Sequence, residues 1–141
     1  MEISKEFTLE MAHRLTFHKG KCFNLHGHSY KVIVVLQGKP NKAGILLDYG
    51  DVKEVFNKII FEHYDHSLLV CEWDEFFKNF IGHRYLKVNA LPFESTAENL
   101  ALHFYRLLSG HLEDLVKVTV KETENTSASC HKNFDGERLV H

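Results

Sequence analysis

The sequence predicts an α+β fold: a four-stranded antiparallel sheet with two long helices on one face, in the order strand, strand, helix, helix, strand, strand. Three observations carry this expectation. Apolar and polar residues alternate over residues 3–15, 26–37 and 115–123, the period of a half-buried strand. Apolar residues recur at helical spacing over residues 52–63 and 97–108. Both helical stretches fall between the first two strands and the last two.

The first strand places Ile3, Phe7, Leu9, Met11, His13 and Leu15 on one face, interrupted by Lys5, with Glu6, Thr8, Glu10 and Arg14 on the other. His13 therefore stands on an apolar face. It reads either as a core histidine bonded to backbone or as one ligand of a site. A loop over residues 16–25 carries His18, Lys19, Gly20, Lys21 and Cys22. The second strand, His26 to Gln37, presents His26, His28, Tyr30, Val32, Val34 and Leu36 on one face.

Two histidines two apart on a strand point the same way, so their rings can share one metal ion. A hairpin of the two strands brings His13 opposite that pair. Three histidines with an open fourth position are the donor set of catalytic zinc. Cys22, four residues before His26, sits within reach of the pair but outside it.

Residues 39–44 form a turn containing Pro40, Asn41 and Gly44. After a short apolar run, a helix begins near Gly50, with Asp48 as its N-cap and Asp51 and Glu54 favourable near its positive end. It ends before Tyr64. Asp65 and His66 read either as a helix-exit pair or as a functional pair. Residues 70–94 are less regular, with a short helix expected at 75–80 and an extended piece at 85–88.

Ser95-Thr96-Ala97-Glu98 reads as a capping box opening the second long helix, which Gly110 ends. That role is a sufficient structural explanation for Thr96 and Glu98. In the strand over 115–123, Glu122 ends the face carrying Val116, Val118 and Val120. A carboxylate there is paired if buried, or the strand has already reached solvent. A last extended piece is expected at 128–134.

At 141 residues, 44% hydrophobic and 26% charged, one domain spanning 1–141 is expected. A net charge of −2 offers no bulk attraction to nucleic acid or to a membrane surface. No apolar run approaches the ~18–20 residues needed to span a bilayer, and the polar N-terminus lacks a signal-peptide core. Three separated cysteines without a CxxC pair argue against a disulfide framework, and a reducing, cytoplasmic setting is expected. Eleven histidines raise the expectation of metal or acid–base chemistry.

Ala12-His13-Arg14-Leu15, Cys22 with Leu25-His26-Gly27-His28, Asp48-Tyr49, Asp65-His66, Thr96-Ala97-Glu98-Asn99 and Lys121-Glu122-Thr123 follow one another in the chain. That ordered set resembles the 6-pyruvoyl-tetrahydropterin synthase family, which includes the bacterial 6-carboxy-tetrahydropterin synthases of queuosine biosynthesis. The likeness runs from about residue 3 to residue 130. Each motif is weak alone, and their ordered combination is specific. Three residues separate Cys22 from His26, as in the queuosine branch, whereas the animal pyruvoyl enzymes have a longer insert. The chain departs from the family in a longer segment from Leu69 to Glu94, in Leu68-Leu69 after the Asp–His pair, and in Ser95 where a proline is usual.

The resemblance implies a single tunnelling-fold pterin synthase domain. Its sheets would join those of other subunits in an oligomeric barrel, commonly a homohexamer, with active sites between subunits. It implies Zn²⁺ on His13, His26 and His28, Cys22 as base, and Asp65 and His66 as a catalytic pair. Glu122 would anchor the pterin, and Thr96 would join it in binding substrate. The implied substrate is 7,8-dihydroneopterin triphosphate. The implied products are 6-carboxy-5,6,7,8-tetrahydropterin, acetaldehyde and triphosphate. Two alternatives are the pyruvoyl-forming activity, which eliminates triphosphate without carbon–carbon cleavage, and a zinc-stabilised pterin-binding module without turnover.

Overall fold

A computed structural model describes residues 1–135 of the chain. Strands β1 (Glu2–His13) and β2 (His26–Gln37) form the long hairpin at the centre of the sheet. Its register pairs Ile3 with Leu36 and His13 with His26, so the apolar faces of both strands coincide. β5 (Leu115–Thr123) pairs antiparallel with β2, with a register shift at Val35/Leu36, and β6 (Thr126–His131) pairs antiparallel with β5.

The sheet departs from the expected four antiparallel strands. Among the described residues it has six, in the order β4-β3-β1-β2-β5-β6. β3 (Ser67–Cys71) runs parallel to β1, and β4 (Val88–Leu91) parallel to β3. β3 is buried along almost its whole length, so its sequence does not alternate; a short apolar run of that kind has no periodicity to reveal it. The extended piece expected at 85–88 begins instead at Val88, and the short helix expected at 75–80 is a single 3₁₀ turn, Lys78–Phe80. The last strand ends at His131 rather than Phe134.

The first helical stretch is continuous: α1 (Tyr49–Phe56), a π-helical segment (Asn57–Phe61) and α2 (Glu62–Tyr64). Asp48 caps it, its carboxylate accepting from Gly50 N at 2.6 Å. α3 (Ala97–Ser109) is capped by Thr96, whose hydroxyl accepts from Asn99 N at 3.2 Å. The N-cap is therefore one residue later than expected, and the Asn99 side chain donates to Glu94 O at 2.8 Å instead of closing a capping box; Ser95 is left to another partner. Gly110 closes the helix in an ordinary right-handed conformation, φ −73°.

Leu9, Tyr30, Val32, Val34, Phe56, Ile60, Leu100, Phe104, Val118 and Val120 are fully buried between the sheet and these helices. Phe7 stacks on Phe56, ring centres 3.8 Å apart, which seats α1 on the hairpin. The outward residues of β1, including Glu2, Ser4, Glu6 and Thr8, are exposed on the opposite face. No helix among the described residues is long and apolar enough to cross a membrane.

Candidate functional site

The hairpin register delivers the histidine cluster. His13 is the last residue of β1 and His26 the first of β2, paired across the ladder; His28 follows two residues on and shares their face. Ring centres lie 4.7 Å apart for His13–His26, 4.8 Å for His26–His28 and 5.4 Å for His13–His28. Glu122, from the end of β5, completes the group. One donor atom from each of the four lies within 4.8 Å of the others. Gly27 sits between the two β2 histidines where the neighbouring backbone is close: a Cβ there would lie 3.2 Å from Met11 O.

The second nitrogen of each of two rings is anchored. His13, fully buried, places Nδ1 3.0 Å from the Ser95 carbonyl and 2.9 Å from its hydroxyl. His26 Nδ1 lies 2.7 Å from Asn24 O. A carbonyl only accepts, so each Nδ1 carries the proton and each Nε2 keeps its lone pair. His26 Nε2 and His28 Nε2 are buried without a hydrogen-bond partner. Buried, unpartnered imidazole nitrogens converging on one point fit a divalent metal of zinc's preferences, with the carbonyls orienting the rings from behind.

Charge at the site agrees. Burial is the main influence that holds the His28 imidazole below its ordinary pKa; His13 and His26 add to it and Glu122 opposes it. A neutral ring is the form that binds metal. Glu122 Oε1 lies 2.9 Å from His28 Nε2, out of line for a hydrogen bond, and 3.6 Å from His13 Nε2. His13 beside it is the largest influence on its carboxyl and, with the nearby His28 and His26, holds it below the usual range against the effect of burial. Ionised Glu122 thus borders the space the three nitrogens face, placed to ligate a metal or to accept N–H bonds from a ligand beside one. The Tyr30 hydroxyl lies 3.2 Å from His13 Nε2. Burial, then the charges of Glu122 and Cys22, push its phenol up, so it stays protonated.

Cys22 is a free, half-buried thiol in a one-turn 3₁₀ helix, Lys21–Phe23, just before β2. Its carbonyl accepts from Leu15 N at 2.8 Å, which ties the turn to the end of β1. Asp65 ends α2 and His66 follows with φ +56°, a left-handed conformation uncommon for a side chain of this size. β1 holds the turn there: Glu10 N donates to Asp65 Oδ1 at 2.9 Å, and His66 N donates to Glu10 O at 2.7 Å. Asp65 Oδ2 accepts from His66 Nδ1 at 2.6 Å. Burial opposes ionisation of Asp65, but the Glu10 amide and the His66 ring outweigh it and hold the carboxyl below the usual range.

The His66 side chain, 77% exposed, lines an open groove of about 480 Å³ with Glu10, Ala12, Ser29 and Leu68. Glu10, Ala12 and Ser29 point away from the helices, so this groove opens on the sheet face opposite the one that carries the cluster; His28 borders it as well. The structure therefore joins His13, His26, His28 and Glu122 in one group and Asp65 with His66 in another. Thr96 is occupied as the cap of α3. Ser95 and Tyr30 are additional participants. Tyr30 was detectable as the next residue on the His26/His28 face; nothing in the sequence signals Ser95.

Residues 2–133 match the family model described as 6-pyruvoyl tetrahydropterin synthase. The chain is 34% identical over 137 residues to the 6-carboxy-5,6,7,8-tetrahydropterin synthase of Haemophilus influenzae, covering 92% of this chain and 96% of that one. It is 32% identical over 155 residues to the protein of the same name from Aquifex aeolicus, covering 90% and 95%. The solved structure of Caenorhabditis elegans 6-pyruvoyl tetrahydropterin synthase superposes with a TM-score of 0.71 at 25% identity, covering 94% of this chain and 96% of that one. With nearly its whole length matched, in sequence and in fold, the chain belongs to the 6-pyruvoyl tetrahydropterin synthase family.

Proposed function

We propose that the chain converts 7,8-dihydroneopterin triphosphate and one water to 6-carboxy-5,6,7,8-tetrahydropterin, acetaldehyde and triphosphate, as a zinc-dependent lyase of queuosine biosynthesis. The observation that carries this reading is the cluster of buried imidazole nitrogens with Cys22 four residues upstream. The relatives named 6-carboxy-5,6,7,8-tetrahydropterin synthase support the choice of product.

In this reading His13, His26 and His28 hold Zn²⁺, which when bound polarises the hydroxyls of the substrate side chain. Glu122 accepts hydrogen bonds from the pterin 2-amino and ring N–H groups and fixes the ring, and Thr96 is read as a second substrate-binding residue. Cys22 as thiolate removes a proton from the side chain. The His66 imidazole moves a proton as the side chain rearranges, and the Asp65 carboxylate at its Nδ1 orients it. Buried Tyr30, protonated, keeps its hydroxyl against His13.

His66 approaches from the other sheet face, and β4 and β6 leave two strand edges unpaired among the described residues. Both features support a homo-oligomer, read as a hexamer, whose active sites are completed between subunits. The unpaired thiols are consistent with a cytoplasmic setting.

Pyruvoyl formation is the second reading, favoured by the likeness to the C. elegans enzyme. The same residues serve both reactions. Incubation of metal-analysed protein with 7,8-dihydroneopterin triphosphate, followed by mass spectrometry, separates them. A carboxy-tetrahydropterin with acetaldehyde supports the proposal, a pyruvoyl product transfers the chain to the second reading, and bound pterin without turnover refutes both.

A further inference from the structure

Next to the first histidine of the cluster, Arg14 turns its side chain into the protein. It is 9% exposed, and its partner Asp74 2%. Arg14 Nε donates to Asp74 Oδ2 at 2.6 Å. A terminal nitrogen donates to Phe23 O at 3.3 Å. The guanidinium carbon lies 4.4 Å from the ring centre of Phe23, 4.9 Å from that of Phe76 and 5.4 Å from that of Phe77. Asp74 is satisfied on its other oxygen, which accepts from Phe76 N at 2.9 Å and Phe77 N at 3.1 Å. Glu94, also buried, joins the same segment to β1's exit: Trp73 Nε1 donates to it at 3.1 Å, and both the amide and the hydroxyl of Thr16 donate to it.

These contacts converge on the turn that carries Cys22. Two consecutive carbonyls of that turn, Cys22 O and Phe23 O, are held by two consecutive residues, Leu15 through its amide and Arg14 through its guanidinium. The Phe23 ring packs against the same guanidinium. A buried ion pair is a costly way to stabilise a fold, and its use is better understood as fixing one geometry. We infer that Arg14 and Asp74 are positioning residues for Cys22: the segment around Trp73–Phe77, through Asp74, clamps the cysteine turn and sets where its thiol stands relative to the histidine cluster. The catalytic consequence rests on the proposed role of Cys22 as base; the clamp itself does not.

The test is Asp74→Asn in the full-length, zinc-loaded protein. Asparagine keeps an oxygen for the Phe76 and Phe77 amides but turns a donor toward Arg14. Cys71 and Cys130 are 4% and 5% exposed, so iodoacetamide alkylation, located by peptide mass spectrometry, reads Cys22. Release of the clamp is expected to speed Cys22 alkylation by at least about threefold. It is expected to lower kcat about tenfold or more with KM changed less than about twofold, and to leave bound zinc per chain unchanged.

The double variant Arg14→Met with Asp74→Asn, which leaves no unpaired buried charge, carries the same expectation if the single variant folds poorly. An unchanged Cys22 alkylation rate in a folded variant overturns the inference, as does loss of zinc without a change in alkylation. Absence of turnover in the parent overturns the reading of Cys22 as base, while the alkylation comparison still decides the clamp.

Discussion

His13 Nδ1 lies 3.0 Å from the carbonyl oxygen of Ser95, eighty-two residues along the chain. This contact makes His13 both a core histidine bonded to backbone and a ring whose Nε2 is aimed at the cluster. The loop entering α3 thus orients a residue that belongs to β1. Because the carbonyl is backbone, Ser95→Ala is expected to weaken zinc affinity at the low end of the range for such supporting contacts, about tenfold. His13→Ala is expected to abolish stoichiometric zinc. Competition against a chromogenic chelator measures both, and equal affinities in parent and Ser95→Ala would restrict the orienting role to the carbonyl.

Cys22→Ala is expected to cost about 10²–10⁴-fold in turnover, the usual span for a positioned base, with zinc still bound at one per chain. Activity and metal content are measured on the same preparation. Normal turnover removes Cys22 from the mechanism. Loss of zinc makes it a ligand instead, and a thiolate charge-transfer band in the Co²⁺-substituted parent would report the same.

For Glu122→Ala the expected loss of pterin affinity is about ten- to a hundredfold, the value of a charge-assisted hydrogen bond in a partly buried site. Isothermal titration of the zinc-loaded variant with a non-reactive pterin measures it. Unchanged affinity refutes the anchor. Loss of zinc would assign the carboxylate, which lies 2.9 Å from His28 Nε2, to the metal instead.

His103 supplies a pH dependence away from the cluster. Its Nε2 lies 2.6 Å from the Tyr64 hydroxyl, and burial, with Arg106 nearby, lowers its pKa to about 4 from 6.5. The unfolded chain then binds the proton first, so the stability contributed by neutral His103 is complete above pH 6.5 and is lost as pH falls toward 4. The full loss amounts to about 3 kcal/mol. Urea unfolding midpoints between pH 7 and pH 4 should fall more steeply for the parent than for His103→Gln. Parallel curves would show that protonated His103 is accommodated in the fold.

Much of the central sheet and of the cluster was legible because it is written in local periodicity. Alternation over residues 3–15 and 26–37 places His13, His26 and His28 on inward faces, and the hairpin of these two consecutive strands brings them together. Asp48 and the helix it caps were legible for the same reason, since capping acts over two or three residues. The parallel strands β3 and β4 were not: each is short, and β3, buried almost throughout, carries no alternation. Thr96 rather than Ser95 caps α3, because Ser95 is engaged by His13, a partner no local pattern announces.

The sequence by itself determined the family, through the order of its motifs along the chain, and the central hairpin, the two long helical stretches and the identity of the three imidazoles, through local periodicity. Tertiary structure alone decided what stands around them. It set Glu122 at the histidines across the β2–β5 pairing, His66 on the opposite sheet face, and the Arg14–Asp74 pair against the Cys22 turn. Those placements depend on contacts between residues tens of positions apart, whose register is set by core packing and by the need to satisfy every buried charge and carbonyl.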